Sequence, residues 1–168
     1  MPTLRKTTLE DIAQAIQIIE QGKAYLKSTG VDQWQNGYPN AEVIKEDIAN
    51  GYGYVLECEG KVVGTVALSF DGEPHYDDIR DGNWLSNGNF LVIHRLAVSD
   101  EVRGTNSASE MIRQAEQLCM IHGIFSIKID THEDNVVMRK FVEKNGFKYC
   151  GTVMLGSEGE RVAFEKVL

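Results

Sequence analysis

Two short segments of the sequence combine residue types at spacings that could do chemistry. In the first, Leu96-Ala97-Val98 ends an apolar run and leads through Ser99–Val102 into the small, polar stretch Arg103–Ser109. Small side chains leave backbone N–H groups accessible, and a helix that begins here carries about half a positive charge at its N-terminus. The segment predicts a cradle for phosphate groups, although helix-capping residues alone explain the same pattern. The absence of a Walker A lysine and of Gly-x-Gly-x-x-Gly argues against ATP and NAD.

The second segment is Ile129–Asn135, which carries two titratable groups near the start of a predicted helix. Asp130 and His132 lie two residues apart at a strand end, so their side chains are expected to point the same way. Such groups could transfer protons. The alternatives are that Asp130 is an ordinary strand-end carboxylate and that Asp134 caps the helix.

The elements that must position these segments follow from the hydrophobic periodicity. Helices are predicted after Thr8, with an apolar stripe of Ile12, Ala15, Ile16 and Ile19, and over 40–50, 108–123 and 134–144. Strands are predicted at 3–7, 53–57, 61–70, 90–98, 125–131, 147–155 and 161–167, and an acidic loop at 71–89. Helices interleaved with a mixed sheet predict a three-layered α/β or α+β fold, which we expect to form a single domain over residues 1–168.

The composition narrows the class of protein. Seventeen Lys and Arg against 25 Asp and Glu give a formal charge of −8, which disfavours nucleic acid as a partner. No apolar run approaches the ~20 residues of a membrane span, and the N-terminus does not read as a signal peptide. Three scattered cysteines, Cys58, Cys119 and Cys150, argue against a disulfide framework or a zinc site. We therefore expect a cytoplasmic protein that binds no metal and no membrane.

The two segments, in this order, resemble the motifs of the GNAT superfamily of acetyl-CoA-dependent N-acetyltransferases. Leu96-Ala97-Val98 with Arg103-Gly104-Thr105-Asn106-Ser107-Ala108 is similar to the acetyl-CoA motif Gln/Arg-x-x-Gly-x-Gly/Ala. Asn135 followed by Glu143-Lys144-Asn145-Gly146-Phe147 is similar to the next motif, an Asn at the head of a helix that ends in Gly-Phe. The resemblance implies a GNAT-like fold over essentially the whole chain, with a central, mixed and mostly antiparallel sheet flanked by helices.

The resemblance also implies acetyl-CoA as co-substrate and assigns residues to it. The backbone of Leu96, Ala97 and Val98 would pair with the pantetheine arm and polarise the acetyl carbonyl, and Asn135 would contact the pantetheine side. The pyrophosphate would be held by the amides of Arg103, Gly104, Thr105, Asn106, Ser107 and Ala108.

The sequence departs from the family pattern at two positions. Asn106 stands where the motif carries a glycine, and Asn tolerates a positive φ better than most residues. Val142 stands seven residues after Asn135, where many members carry a tyrosine that protonates the leaving CoA thiolate. Tyr149 or water could substitute for that acid, and a thiol with a pKa near ~8.5 leaves with modest help.

The reaction also needs a base, because an alkylammonium with a pKa near ~10.4 must lose a proton before it attacks a thioester. Some family branches place a carboxylate five residues before the motif Asn, which falls on Asp130. At a strand end we expect this Asp to have a pKa near ~4 and to be ionised at neutral pH. His94 is the other candidate for the base. The alternative is that His94 is a core histidine whose ring nitrogens are hydrogen-bonded within the protein. No cysteine is placed near a motif histidine, so we expect direct attack without a covalent intermediate.

The acceptor is predicted only by class, as a small-molecule or peptide amine. Five acids in the 71–89 segment could attract a cation, although a solvated surface explains them better. Trp34, Tyr38, Tyr76 and Trp84 could line a pocket, and anchoring of the loops to the core explains them equally well. Two other functions stay open: a weak or inactive acyl-CoA-binding sensor module, and a protein or peptide N-terminal acetyltransferase. A homodimer also stays open.

Overall fold

The computed structural model describes all of residues 1–168 and contains four α-helices and seven β-strands. The helices are α1 (Ile12–Ser28), α2 (Ala41–Asn50), α3 (Ser107–His122) and α4 (Val136–Lys144). The strands are β1 (Thr3–Lys6), β2 (Gly53–Cys58), β3 (Lys61–Ser69), β4 (Leu91–Val98), β5 (Ser126–Thr131), β6 (Lys148–Met154) and β7 (Glu160–Val167). None of the helices combines the length and the apolar composition that crossing a membrane requires.

All seven strands belong to one sheet, in the order β1-β2-β3-β4-β5-β7-β6. β4 and β5 pair in parallel, whereas β1 with β2, β2 with β3, β5 with β7 and β6 with β7 pair antiparallel. The predicted α/β fold with a mixed, mostly antiparallel sheet is confirmed. The β2–β3 hairpin turns through Glu59 and Gly60, whose φ angles of 52° and 78° are the two positive values that a type I′ turn requires.

The chain divides into two compact units, Met1–Leu68 with His94–Ala115 and Ser69–Ile93 with Glu116–Leu168. The core of the first unit forms on the buried face of α1, where the predicted apolar stripe lies. Ala15 and Ile19 of that stripe are fully buried, and Ile12 and Ile16 pack at its margin. Their partners include residues of α2, β2, β3 and β4, namely Ile44, Val55, Val62 and Ala97.

The 71–89 segment of the second unit is more structured than the predicted loop. It contains a 3-10 turn, Pro74–Asp77, and it buries Tyr76 to 1% exposure among Val92, Val153 and Ala163. Trp84 packs on the same cluster and donates its Nε1–H to the Tyr76 carbonyl at 2.8 Å. The aromatic residues of the segment therefore anchor it to the core, while most of its acidic residues are exposed.

Polar groups of β5 and β7 hold the rest of this segment in place. The carboxylate of Glu165, which is fully buried, accepts hydrogen bonds from the Leu85 amide at 2.7 Å, from the Ser126 hydroxyl at 2.7 Å and from the Ser86 hydroxyl. Lys128 lies directly opposite Glu165 in the β5–β7 pair. Its ammonium sits 4.3 Å from the centre of the Trp84 ring and 3.9 Å from that of Phe90. Since buried charges need partners, these contacts make the segment part of the fold.

Candidate functional site

The predicted phosphate cradle lies between β4 and α3, in the first unit. β4 ends at Val98, and Ser99 precedes a 3-10 turn over Asp100–Val102, in which the Val102 amide donates to the Ser99 carbonyl at 3.1 Å. The chain then passes through Gly104, whose φ of +83° is a conformation that side-chain-bearing residues rarely adopt, and enters α3 at Ser107. The predicted sequence of strand, turn and helix is thus present.

The groups of this turn are small and exposed. Gly104, Thr105 and Asn106 are all exposed, and a Cβ added to Gly104 would meet no atom within 4 Å. The first amides of any α-helix lack an acceptor within the helix. At the start of α3 one of them, that of Ser107, meets the Thr105 hydroxyl at 3.3 Å, a long hydrogen bond that an anionic oxygen could replace. Within the turn itself, the Arg103 and Thr105 amides already donate to the Asp100 and Val102 carbonyls, at 3.3 and 3.1 Å. The donors best placed for an anion are therefore the amides at the start of α3, that of Ser107 among them.

One side chain of the cradle, that of Asn106, differs from the sequence-based expectation, and a second, that of Arg103, makes contacts outside the cradle. Asn106 does not adopt a positive φ, so its tolerance of that conformation is not needed; its carbonyl accepts the first hydrogen bond of α3, from Glu110 at 2.9 Å. Asn106 therefore occupies the N-cap position, where Asn is a preferred residue. The Arg103 guanidinium turns away from the cradle, pairing with Asp100 and lying 4.3 Å from the centre of the Tyr25 ring.

The strand that leads into the cradle contains a strained residue. Arg95 has a φ of +55°, although it lies inside β4 and is not a glycine. The left-handed conformation costs a residue with a side chain about 1–2 kcal/mol. Its guanidinium donates two hydrogen bonds to the Asp47 carboxylate, at 2.6 and 2.7 Å, and one to the Tyr38 hydroxyl at 2.8 Å. Burial raises the pKa of Asp47, and the charge of Arg95 opposes that rise.

Asp130 lies in the second unit, in β5, and its surroundings are less aqueous than the sequence suggested. Its Oδ2 accepts a hydrogen bond from the Tyr76 hydroxyl at 2.5 Å. Burial raises the pKa of Asp130 to about 6, while the Tyr76 hydrogen bond and the charge of Arg161 act in the opposite direction. The sequence-based expectation of a pKa near ~4 is therefore wrong, because it assumed a solvated strand end.

The other titratable candidates are placed as follows. β5 ends at Thr131, so His132 lies beyond the strand and the two-residue alternation no longer applies to it. Its Nδ1 accepts a hydrogen bond from the Asp134 amide at 3.1 Å. His94 is partly buried in β4 and belongs to the first unit, whereas Asp130 belongs to the second. The choice between them as base stays a prediction.

Helix α4, which carries the second motif, begins one residue later than it would if Asp134 were its cap. Asn135, not Asp134, caps α4, with its side-chain oxygen accepting from the Met138 amide at 3.1 Å. Its contact with pantetheine stays a prediction. Val142, at the position of the family's tyrosine, is fully buried, and Tyr149 is half-exposed on β6.

Sequence reasoning missed two partners, Tyr76 for Asp130 and Asp47 for Arg95. A signal for the second was present. Asp47 lies three residues after Ile44, on the apolar face of α2, and Arg95 interrupts the apolar run of β4. A buried acid on one element and a buried base on another predict an ion pair, since neither is stable alone in the interior. Nothing in the sequence pairs Tyr76 with Asp130.

The chain belongs to the GNAT acetyltransferases, because the family model described as the acetyltransferase (GNAT) family matches residues 19–147. It is 35% identical to a GNAT-family acetyltransferase from Streptococcus agalactiae, with a TM-score of 0.88 over 99% of this chain and 95% of that chain. A putative acetyltransferase from Staphylococcus aureus is 28% identical, with a TM-score of 0.73 over 98% of both chains. No curated protein matches the chain in sequence.

A third solved structure shares the fold and contains a ligand. The PaiA N-acetyltransferase from Thermoplasma acidophilum, solved in complex with coenzyme A, has a TM-score of 0.75 over 100% of this chain and 99% of that chain. At 17% identity this likeness shows a shared fold.

The first prediction concerns the titration of Asp130. We expect its carboxyl carbon to titrate near pH 6 in NMR, and Tyr76→Phe to move the midpoint upward, because the tyrosine hydrogen bond favours the carboxylate. A raised folded-state pKa means that the native state holds the proton more tightly than the unfolded state does. Asp130 therefore lowers the free energy of unfolding as pH rises from about 4 to about 6. A midpoint near pH 4 that Tyr76→Phe leaves unmoved would contradict this assignment.

Proposed function

We propose that this chain is an acyl-CoA-dependent N-acyltransferase that moves the acetyl group of acetyl-CoA to a primary amine by direct attack. The observation that carries the proposal is the exposed turn of residues 104–106 between β4 and α3, in a chain that belongs to the GNAT acetyltransferases. The coenzyme A complex of the T. acidophilum relative supports the choice of an acyl-CoA.

The chemistry of the turn fits a pyrophosphate. A diphosphate can be bound by backbone N–H groups at a helix N-terminus without a lysine. Here the small residues Gly104, Thr105 and Ser107 surround the start of α3, and the Arg103 side chain is directed to Tyr25. We assign the amides of residues 103–108 to the pyrophosphate and the backbone of Leu96–Val98 to the pantetheine arm and the acetyl carbonyl.

We assign the role of general base to Asp130. With a pKa of about 6, its carboxyl group is mostly ionised above neutral pH and accepts a proton more readily than an ordinary aspartate does. An ammonium acceptor releases two protons during amide formation. Asp130 takes the first, which frees the amine nitrogen to bond to the carbonyl carbon. The second protonates the CoA sulfur as the carbon–sulfur bond breaks.

One observation favours a non-catalytic alternative, an acyl-CoA-binding sensor module. Val142 is fully buried at the position where many family members carry the tyrosine acid. A chain without that acid depends on solvent or on Tyr149 to protonate the thiolate. The two functions differ in one measurable respect, since both bind coenzyme A but only the enzyme releases it when an amine is added.

The proposal is tested by measuring CoA release from acetyl-CoA with polyamines, amino acids, aminoglycosides and peptides with a free N-terminus. A thermal shift with coenzyme A, run in parallel, reports binding without turnover. Release with at least one class of amine supports the enzyme and names its acceptor, and release with peptides alone identifies an N-terminal acetyltransferase. A thermal shift without CoA release for any amine supports the sensor. If coenzyme A causes no thermal shift and no amine causes CoA release, both functions are contradicted.

A second prediction tests the cradle. Gly104→Pro removes an amide donor and cannot adopt the φ of +83°, so we expect coenzyme A affinity to fall at least tenfold, about 1.4 kcal/mol. Gly104→Ala is the matched variant: it keeps the amide and its Cβ meets no neighbour, so its loss should be smaller. Calorimetry on both variants checks this. If a folded Gly104→Pro protein binds coenzyme A as tightly as the wild type does, the pyrophosphate is not bound at this turn.

A third prediction tests the base. Asp130→Asn keeps the size and one acceptor oxygen for the Tyr76 hydroxyl but removes the basicity, so turnover should fall about 10²–10⁴-fold while coenzyme A affinity holds. In the wild type, log kcat should rise with pH up to about 6 and then level off, and this limb should disappear in the variant.

His94→Gln is the comparison for Asp130→Asn. A larger loss in His94→Gln would assign the base to His94 and leave Asp130 with a structural role. If both variants keep turnover within about twofold at every pH, the acceptor arrives already deprotonated and neither residue is a base.

A further inference from the structure

Arg95 stands apart from the other residues of this chain that combine a side chain with a positive φ. Trp34, Glu59 and Asp81 also have positive φ, but each lies outside the helices and strands. Arg95 lies within β4, between His94 and Leu96, where a regular strand has a φ near −120°. A residue held in the left-handed region inside a strand interrupts the pleat and needs surrounding structure to keep it there.

The surrounding structure is an ion pair with Asp47. Both oxygens of the Asp47 carboxylate accept from one guanidinium nitrogen of Arg95, at 2.6 and 2.7 Å, and the other terminal nitrogen donates to Tyr38. The side chains of Arg95 and Asp47 are only 16% and 13% exposed. An arginine so placed cannot leave its partner without losing a charge-assisted hydrogen bond that water does not readily replace.

Asp47 is itself fixed by the helix that carries it. It lies on the buried face of α2 beside Ile44, and its carbonyl accepts from the Tyr52 amide at 2.8 Å, which closes the end of the helix. Gly51, with a φ of 77°, completes this C-terminal turn. The position of the carboxylate is therefore set by α2, and through the ion pair α2 sets the backbone of Arg95.

We infer, on the basis of the proposed function, that Asp47 is a positioning residue that holds the strained Arg95 and thereby aims the backbone of Leu96–Val98 at the acetyl thioester. The φ of a residue sets the direction of the peptide planes on either side of it. A change at Arg95 therefore reorients the very next amide, at the start of the segment assigned to the thioester carbonyl. Asp47 acts on the reaction through Arg95 and touches no substrate.

The inference can be tested by a pair of substitutions, because glycine adopts a positive φ without needing an ion pair to hold it there. Asp47→Asn leaves a buried guanidinium without its counter-charge, and we expect kcat to fall at least tenfold. Combining it with Arg95→Gly removes the charge and the strain together. The double variant should therefore recover kcat to within about threefold of the wild type. Glu46→Gln, an exposed acid next to Asp47 on α2, is the matched control.

Two outcomes would overturn the inference. One is a folded double variant with kcat as low as that of Asp47→Asn, since relief of the strain would then have done nothing. The other is a loss in Arg95→Gly as large as that in Asp47→Asn with no recovery on combination, which would mean that the Arg95 side chain itself meets a substrate. If Asp47→Asn does not fold, the double variant decides alone: kcat within threefold of wild type supports the inference, and a loss above tenfold in a folded protein overturns it.

A structural readout separates this inference from the proposed function. The backbone amide and Cα chemical shifts of residues 96–98, which neither substitution replaces, should move in Asp47→Asn and return toward the wild-type values in the double variant. This comparison needs no substrate. Absence of CoA release from the wild type with every amine would contradict the proposed function, whereas shifts that do not move in Asp47→Asn would contradict the role of Asp47.

Discussion

Two residues between the middle of β4 and the start of α3 lie in the left-handed backbone region, Arg95 within the strand and Gly104 in the turn that follows it. At Gly104 the conformation costs little, because glycine has no Cβ to collide with its carbonyl. At Arg95 the same conformation is occupied by a large charged residue, and it is compensated by the ion pair with Asp47 and the hydrogen bond to Tyr38. The Gly104 turn is exposed and open to a ligand, whereas the strand at Arg95 is tied to α2.

In the second unit, the long acidic segment of residues 71–89 is held on the sheet by side chains of β5 and β7. Ser126, Lys128 and Asp130 alternate along β5, so their side chains leave the same face of the strand. Their contacts with Glu165, with the rings of Trp84 and Phe90, and with Tyr76 fix the segment at three successive points. The residue that we assign as base is thus the last of a row of anchoring groups. Its raised pKa is a consequence of the same packing that keeps the segment in place.

Much of this arrangement was predictable from local sequence. The α1 stripe, the Asn40 cap of α2, the Glu59-Gly60 hairpin and the strand, turn and helix around Gly104 each follow from residues close together in the chain. What could not be predicted depends on residues far apart. Tyr76 and Asp130 are 54 positions apart, and no periodicity or spacing relates them. Arg95 and Asp47 are 48 apart, and their only signal is indirect, an acid on the apolar face of one helix and a base in the apolar run of one strand. The pKa of Asp130 was misjudged for the same reason, because burial by a distant segment determines it.

The placement of the two tryptophans has a spectroscopic consequence. Trp34 packs in the core of the first unit, and Trp84 packs in that of the second, beneath the Lys128 ammonium. Because the chain has only these two, replacing either one by phenylalanine leaves an intrinsic fluorophore that belongs to a single unit. The emission of each variant during denaturation then reports the melting of one unit alone. Coincident or separate transitions would show whether the two units unfold as one cooperative body.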